Sequence, residues 1–213
     1  MKEDIKVSRP VLRRMPRYLR YLGDLGEKSK DRISSKELGT LMGFTASQIR
    51  QDLSHFGGFG HQGYGYNVDV LHGEISTILG LDKKYKMVVI GAGNLGRAIV
   101  NYTYYYKSVF VVSGVFEIIP EVIGTKINDI EIYSYETLEE FVGEHKIDIG
   151  IICTTKSNAQ AVADKLSGAG IKGIWNFAPL DVSAPENVMV ENVHLSDSLH
   201  YLAYHVNRQI SGE

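Results

Sequence analysis

Three glycines, Gly91, Gly93 and Gly96, stand at G-x-G-x-x-G spacing within KMVVIGAGNLGRAIV at 86–100. The chemistry this spacing serves is the cradling of a dinucleotide pyrophosphate. The first glycine permits a tight turn, the second lets backbone N–H groups approach the phosphates, and the third lets the following helix pack close to the preceding strand. Ala92, Asn94 and Leu95 complete the turn, and the helix that begins there offers unpaired N–H groups and the positive end of its dipole to an anion. An acid then closes the apolar run 109–116. The Glu117 carboxylate can accept hydrogen bonds from adenosine ribose hydroxyls and would repel a 2′-phosphate, so NAD is predicted in preference to NADP. Its distance from the glycines is a little longer than the usual ~20 residues.

A second constellation is polar and points to nucleic acid. Ser34 with Glu37 and Thr45 with Gln48 each fit a capping box, so SSKELGTLMGFTASQIRQDL reads as two short helices joined by a tight turn at Gly43. Leu38, Leu41, Met42, Phe44, Ile49 and Leu53 would form the core side. Ser47, Gln48, Arg50 and Gln51 would then point outward from the second helix, 46–54, as donors and acceptors suited to base edges or phosphates in a major groove. The stretch 54–67 alternates aromatics and glycines like a twisted hairpin, with His61 and Gln62 at its tip, which makes the arrangement a winged helix. Arg13, Arg14, Arg17 and Arg20 decorate an N-terminal helical segment as candidate phosphate contacts. Pro16 should kink or split that segment, leaving a helix over 15–27.

These residues need a scaffold. The apolar run 87–90 suits a buried parallel strand, and 109–116, 130–133, 147–153 and 173–177 read as further strands alternating with helices from 94, 135 and 158. That pattern is an α/β doubly wound, Rossmann-type sheet. Thr154, Thr155 and Lys156 follow one strand, and Asn176, Phe177, Ala178 and Pro179 end another, so both sets should line the crevice at the carboxyl edge, with Asn176 able to orient a nicotinamide. A further helix over 70–81 carries Val70, Leu71, Ile75, Ile78 and Leu79 on one side. At the end of the chain Leu195, Leu199, Leu202, Val206 and Ile210 form an apolar helical stripe that needs a partner, its own sheet or a second subunit.

Charge separates the parts. Residues 1–84 hold 14 Lys and Arg against 10 Asp and Glu, whereas 85–213 hold 9 against 15, so a basic module adjoins an acidic one. The domains predicted are 1–82, a winged-helix DNA-binding domain, 83–194, a dinucleotide-binding domain, and 195–213, the terminal helix. Cys153 is the only cysteine, which excludes an intramolecular disulfide or thiolate metal cluster, and no metal site is expected. No segment reaches about 18 uninterrupted apolar residues and the N-terminus lacks the apolar core of a signal peptide, so a cytoplasmic protein without membrane contact is expected. An alternative is an NAD-dependent oxidoreductase with an accessory N-terminal domain. Its candidate acids, Lys156 and His194, lack a motif pairing them with an orienting group.

On RISSKELGTLMGFTASQIRQDLSHFGGFGHQGYGYNV at 32–68, VVIGAGNLGRAI at 88–99, and GIKGIWNFAPL at 170–180 followed by VENVHL at 190–195, the chain resembles the Rex family of redox-sensing transcriptional repressors over nearly its whole length. The resemblance implies a non-enzymatic homodimer whose winged helices bind a palindromic operator, whose dinucleotide domains sense NADH against NAD+, and whose C-terminal helix is swapped between subunits. NADH would release the DNA. Tyr102 lies at the position of a family tyrosine that makes a cross-subunit contact in the NADH-bound form, and the position of its usual aspartate partner holds His194, followed by Leu195 where some members have an aromatic. His61 and Gln62 stand where some relatives carry basic residues, and Glu117 where aspartate is common.

Overall fold

The computed structural model describes residues 7–54, 60–61, 64–104 and 109–211. The chain divides into two compact units, Met1–Lys83 and Lys84–Glu213. Among the described residues no helix is long and apolar enough to cross a membrane.

The first unit runs α1 (Arg9–Glu27), β1 (Arg32–Ile33), α2 (Ser35–Met42), α3 (Ala46–Ser54), β2 (Gly60–His61), β3 (Gly65–Asn67) and α4 (Val68–Ile78). α1 is one helix through Pro16, where a kink or split was expected. Val11, Met15, Tyr18 and Leu22 lie on one buried face that brackets the proline, while Pro16 itself is exposed, so the carbonyl it leaves unbonded can turn to water. α2 begins with a complete capping box: Glu37 N–H donates to Ser34 Oγ at 3.1 Å, and Ser34 N–H to Glu37 Oε2 at 2.9 Å. Gly43 ends α2 in the left-handed conformation, φ 68°, which turns the chain into α3. The core gathers Met15, Tyr18 and Leu22 with Leu38, Met42, Ile49, Leu53, Leu71 and Ile75. Leu41 and Val70, expected in that core, are 46% and 58% exposed, and α4 instead buries Val68, Leu71 and Ile75. β1 pairs with β3 and β3 with β2, all antiparallel, so the wing has three strands in the order β1-β3-β2. The aromatic and glycine stretch 55–59, Gln62 and the side chain of His61 lie outside the described residues.

The second unit follows with β4 (Tyr85–Ile90), α5 (Asn94–Tyr104), β5 (Phe110–Glu117), β6 (Lys126–Ile127), β7 (Ile130–Ser134), α6 (Leu138–His145), β8 (Ile149–Ile152), α7 (Lys156–Gly168), β9 (Gly173–Asn176), β10 (Met189–Asn192) and α8 (Leu195–Ser211). Its seven strands lie in the order β10-β9-β8-β4-β5-β7-β6, parallel except for the pair β6–β7. β4 is buried along Met87–Ile90, as a strand covered on both faces must be, and each such aliphatic side chain contributes about 1.5–3 kcal/mol by leaving water. The chain moves from β4 to β5 and β7 on one side, then returns to lay β8 on the other, with Ile90 opposite both Phe116 and Ile152. The order therefore reverses at the carboxyl end of β4, and a doubly wound sheet opens a crevice at that point. α8 buries none of its residues: Leu195, Leu199, Leu202 and Ile210 are each more than half exposed.

Candidate dinucleotide site and nucleic-acid interface

The glycine turn sits at the switch point. Gly91 N–H donates to Phe116 O at 2.9 Å and Cys153 N–H to Ile90 O at 2.8 Å, which pins the turn between β5 and β8. A Cβ on Gly96 would collide with the Gly91 carbonyl oxygen, so this glycine lets α5 start directly against the turn. A Cβ on Gly93 would meet nothing within 4 Å: the space it faces is open and belongs to a cavity of about 420 Å³ lined in part by Gly91, Gly93, Glu117, Cys153, Thr154 and Thr155. Thr154 Oγ1 is buried there without a hydrogen-bond partner. Glu117 accepts the Ala92 N–H and the Ile118 N–H, each at 2.7 Å. Arg97, which the glycine pattern does not single out, donates from Nε to Ala92 O at 2.9 Å and so holds the turn from the first coil of α5. Asn94 and Leu95 open that helix.

These features fit a dinucleotide: an open approach at Gly93 for a pyrophosphate, a helix N-terminus behind it, an unpartnered hydroxyl, and a carboxylate at the end of β5 for a ribose. Burial pushes the Cys153 thiol up to about 12, which keeps it protonated and unreactive. Among the described residues no group of three or more His, Cys, Asp or Glu could hold a metal ion.

The second predicted set is arranged otherwise. Asn176 is fully buried; its Nδ2 donates to Leu180 O at 2.6 Å and to Asn192 Oδ1 at 2.9 Å, and its Oδ1 accepts the Ala178 N–H at 3.0 Å. Its amide thus shapes the loop after β9 and has no donor or acceptor to turn toward a nicotinamide, a correction to the role expected of it. Ala178 is buried, Phe177 packs against Trp175 with ring centroids 4.5 Å apart, and Pro179 is exposed. None of 176–179 lines the cavity that holds Thr154 and Thr155, nor does Lys156. The loop continues to Asp181, whose Oδ1 lies 2.7 Å from His194 Nε2, the residue that precedes α8. That hydrogen bond, then the Asp181 and Asp197 charges, raise the imidazole above its ordinary value against a smaller effect of burial. Tyr102 is 60% exposed on α5.

On α3 the polar residues divide. Ser47, Arg50, Gln51 and Ser54 share the exposed face, with Arg50 Nη1 reaching Ser35 Oγ at 3.1 Å. Gln48, expected on that face, donates its Nε2 inward to Asp52 Oδ1 at 2.7 Å, so only half of the second capping box forms, the Gln48 N–H to Thr45 Oγ1 bond at 3.1 Å. Asp52 is fully buried. Arg14 grips it with two bonds of 2.7 Å and Tyr18 Oη adds a third partner at 3.0 Å. Burial opposes ionisation of Asp52, but the hydrogen bonds from Arg14, Gln48 and Tyr18 and the Arg14 charge outweigh it and hold the carboxyl below its ordinary value. Arg14 is therefore the counter-charge that locks α3 against α1, in place of the phosphate contact expected from its position. Asp52 went unremarked in the sequence reading; the signal for it was an acid next to Leu53 on the apolar side of a helix, which demands a buried partner. Arg13 is exposed, and the Arg17 guanidinium lies 5.0 Å from the Phe44 ring centroid, within reach of the surface.

Comparison with known proteins accords with both sites. The family model described as "CoA binding domain" matches residues 82–180, and that described as "Putative DNA-binding protein N-terminus" matches residues 6–54. The redox-sensing transcriptional repressor Rex of Thermoanaerobacter pseudethanolicus is 56% identical over 209 residues, covering 98% of this chain and 93% of that protein. RSP, a Rex-family repressor, is similar in its crystal structure with β-NADH, TM-score 0.89 and 53% identity over 96% of each chain. In complex with β-NAD+ and operator DNA it is similar with a TM-score of 0.90 and 55% identity, over 97% of this chain and 98% of that one. With its relatives more than half identical over almost their full length, this chain belongs to the Rex family of redox-sensing transcriptional repressors.

Proposed function

We propose that this protein is a homodimeric repressor that holds a palindromic operator through α3 and the β2–β3 wing, takes NAD+ or NADH into the crevice at the end of β4, and leaves the DNA when NADH replaces NAD+. The observation that carries this is the open space in front of Gly93 at the switch point, on the same chain as a helix-turn-helix whose exposed face is polar. The relatives solved with β-NADH and with β-NAD+ and operator DNA support it. Bound cofactor would supply a nicotinamide whose charge and shape depend on oxidation. The chain's part is to hold the pyrophosphate at Gly91–Gly96 and the ribose at Glu117, with Thr154 and Thr155 beside them. On α3, Ser47 and Gln51 are the residues placed to read bases, while Arg13, Arg17, Arg50 and the wing tip at His61 and Gln62 hold phosphates.

A second copy of the chain is the partner that best covers the exposed stripe of α8, because one helix can cross symmetrically to the other subunit. Tyr102 and His194 are the positions assigned to coupling between subunits. A cofactor shifts the dimer only through unequal affinity for its two arrangements, so NADH must favour the arrangement that does not fit DNA, and operator must weaken NADH by the same factor. A DNA-binding regulator of this kind works in the cytoplasm.

Fluorescence anisotropy of a labelled palindromic operator tests the reading, with NADH, NAD+, NADPH and coenzyme A added separately. NADH should release the operator, NAD+ should leave it bound, and NADPH and coenzyme A should have little effect. Release by coenzyme A but not NADH, or equal affinity for operator and random DNA, would overturn it. Gly93→Val should fold normally, since the space is empty of protein atoms, and yet bind no NADH.

A further inference from the structure

Past Glu117 the cavity changes character. Its wall there is made of Ile118, Ile119, Ala161, Val162 and the ring of Tyr135, with Asn158 at the edge. Ile118 and Ile119 are 64% and 50% exposed, large apolar side chains left open beside a carboxylate. Asn158 is exposed in the first turn of α7, and its side-chain amide makes no hydrogen bond within the described residues. An apolar slot with one aromatic wall and one amide at its edge suits a flat heteroaromatic base with a polar rim. It is poorly suited to a flexible acyl chain, which has no polar rim for the amide to meet.

The ring of Tyr135 is fixed from outside the cavity. Lys165, in the last turn of α7 and absent from the cavity wall, places Nζ 4.4 Å from the Tyr135 ring centroid and 3.3 Å from the Tyr135 carbonyl oxygen. Glu139 Oε2 lies 3.9 Å from the same ammonium, whose side chain is only 20% exposed. One cation thus holds both the backbone and the ring of Tyr135, a cation–π contact combined with a charge-assisted hydrogen bond.

We propose that Tyr135 is the wall on which the adenine of the dinucleotide stacks, and that Lys165 is the positioning residue that sets the plane of that ring. This rests on the dinucleotide reading above and names how its base is selected.

The test is isothermal titration of the full-length chain with NADH, ADP-ribose and reduced nicotinamide mononucleotide, which lacks adenine. Tyr135→Leu should weaken NADH and ADP-ribose together by roughly 5- to 100-fold, the range of one base-on-aromatic stack, and leave the mononucleotide unchanged. Tyr135→Phe should bind like the unmodified protein. Lys165→Met should weaken NADH about two- to fivefold, the scale of a cation–π contact at the surface, and Lys165→Arg should restore it. A merely structural role would lower mononucleotide binding in step with NADH. Unchanged NADH affinity in Tyr135→Leu, while Gly93→Val abolishes binding, would overturn this inference and leave the dinucleotide reading standing; unchanged affinity in Lys165→Met would remove the role of Lys165. No NADH binding to the unmodified protein would overturn both.

Discussion

Asp52 and Glu117 are each a carboxylate that ties together segments distant in sequence, and the difference between their donors separates architecture from recognition. Asp52 has no exposed surface and takes bonds from Arg14, Tyr18 and Gln48, all side chains directed into one filled space. Glu117 takes backbone N–H groups from Ala92 and Ile118 at the wall of an open cavity. A buried charge surrounded by its own cation fixes two helices and has nothing to offer a ligand. A carboxylate held by the amides of the glycine turn is oriented by the turn itself, and its remaining lone pairs face the space where a ribose fits. Polar residues in a candidate site are thus best sorted by what already holds them.

The contrast can be broken most severely at Arg14. Arg14→Ala leaves Asp52 buried with its counter-charge removed, a change worth about 3–5 kcal/mol of stability, read from urea unfolding of the full-length chain by circular dichroism. If the variant unfolds like the unmodified protein and only its affinity for DNA falls, the pair is incidental and Arg14 contacts phosphate after all. The matching change at the other carboxylate should act on the ligand. Glu117→Gln keeps an acceptor for the turn but removes the charge, so NADH affinity should fall by about 1.5–3 kcal/mol and the preference over NADPH should narrow, with the unfolding curve hardly moved. A large stability loss in this variant would make Glu117 a second Asp52.

Within α3 the same division separates neighbours. Gln51→Ala, on the exposed face, should cost about 1–3 kcal/mol of operator affinity and alter sequence preference, measured by competition among operator variants. Gln48→Ala, which takes a donor from Asp52, should instead lower stability by about 1–3 kcal/mol and leave sequence preference alone. Reversed outcomes would mean that α3 is rotated relative to the face described here.

What the sequence disclosed follows from the range of the forces involved. The glycine turn, the Ser34–Glu37 cap and the left-handed stop at Gly43 are set by residues within four positions of one another, and each stands in the structure where spacing placed it. The alternation of apolar runs also disclosed five of the parallel strands. Strands β1 and β6, of two residues each, were missed because so short a run has no period to read, and β10 because no helix separates it from β9. Long-range polar pairs were hidden more completely. Arg14 and Asp52 are 38 residues apart, and nothing near Arg14 distinguishes it from Arg13 or Arg17, which remain at the surface. Asn176 looked like a ligand group because it ends a strand at the carboxyl edge, and its capture by Asn192 depends on the unpredicted strand.

The smallest effect, and the finest test of the contrast, lies with the carboxylate of Asp181. Like Asp52 it meets a cationic partner, His194 at 2.7 Å, but the pair is open to water, with side-chain exposures of 75% for Asp181 and 29% for His194. Solvent screens such a pair, so it should steer a local equilibrium more than it stabilises the fold. The hydrogen bond to Asp181, aided by the charges of Asp181 and Asp197, favours the imidazolium and raises the folded value above the ordinary 6.5. A raised value means that the pair's contribution is fully present below that ordinary value and is lost as pH rises through the raised one. Because His194 adjoins the first residue of α8, the loss should appear as faster amide hydrogen exchange in the first turn of that helix between mildly acidic and mildly alkaline solution. In Asp181→Asn the His194 titration, followed by NMR, should move back toward the ordinary value and the pH dependence of exchange should flatten. An unmoved midpoint in that variant would show that Asp181 does not hold the charge, and the likeness to Asp52 would end at geometry.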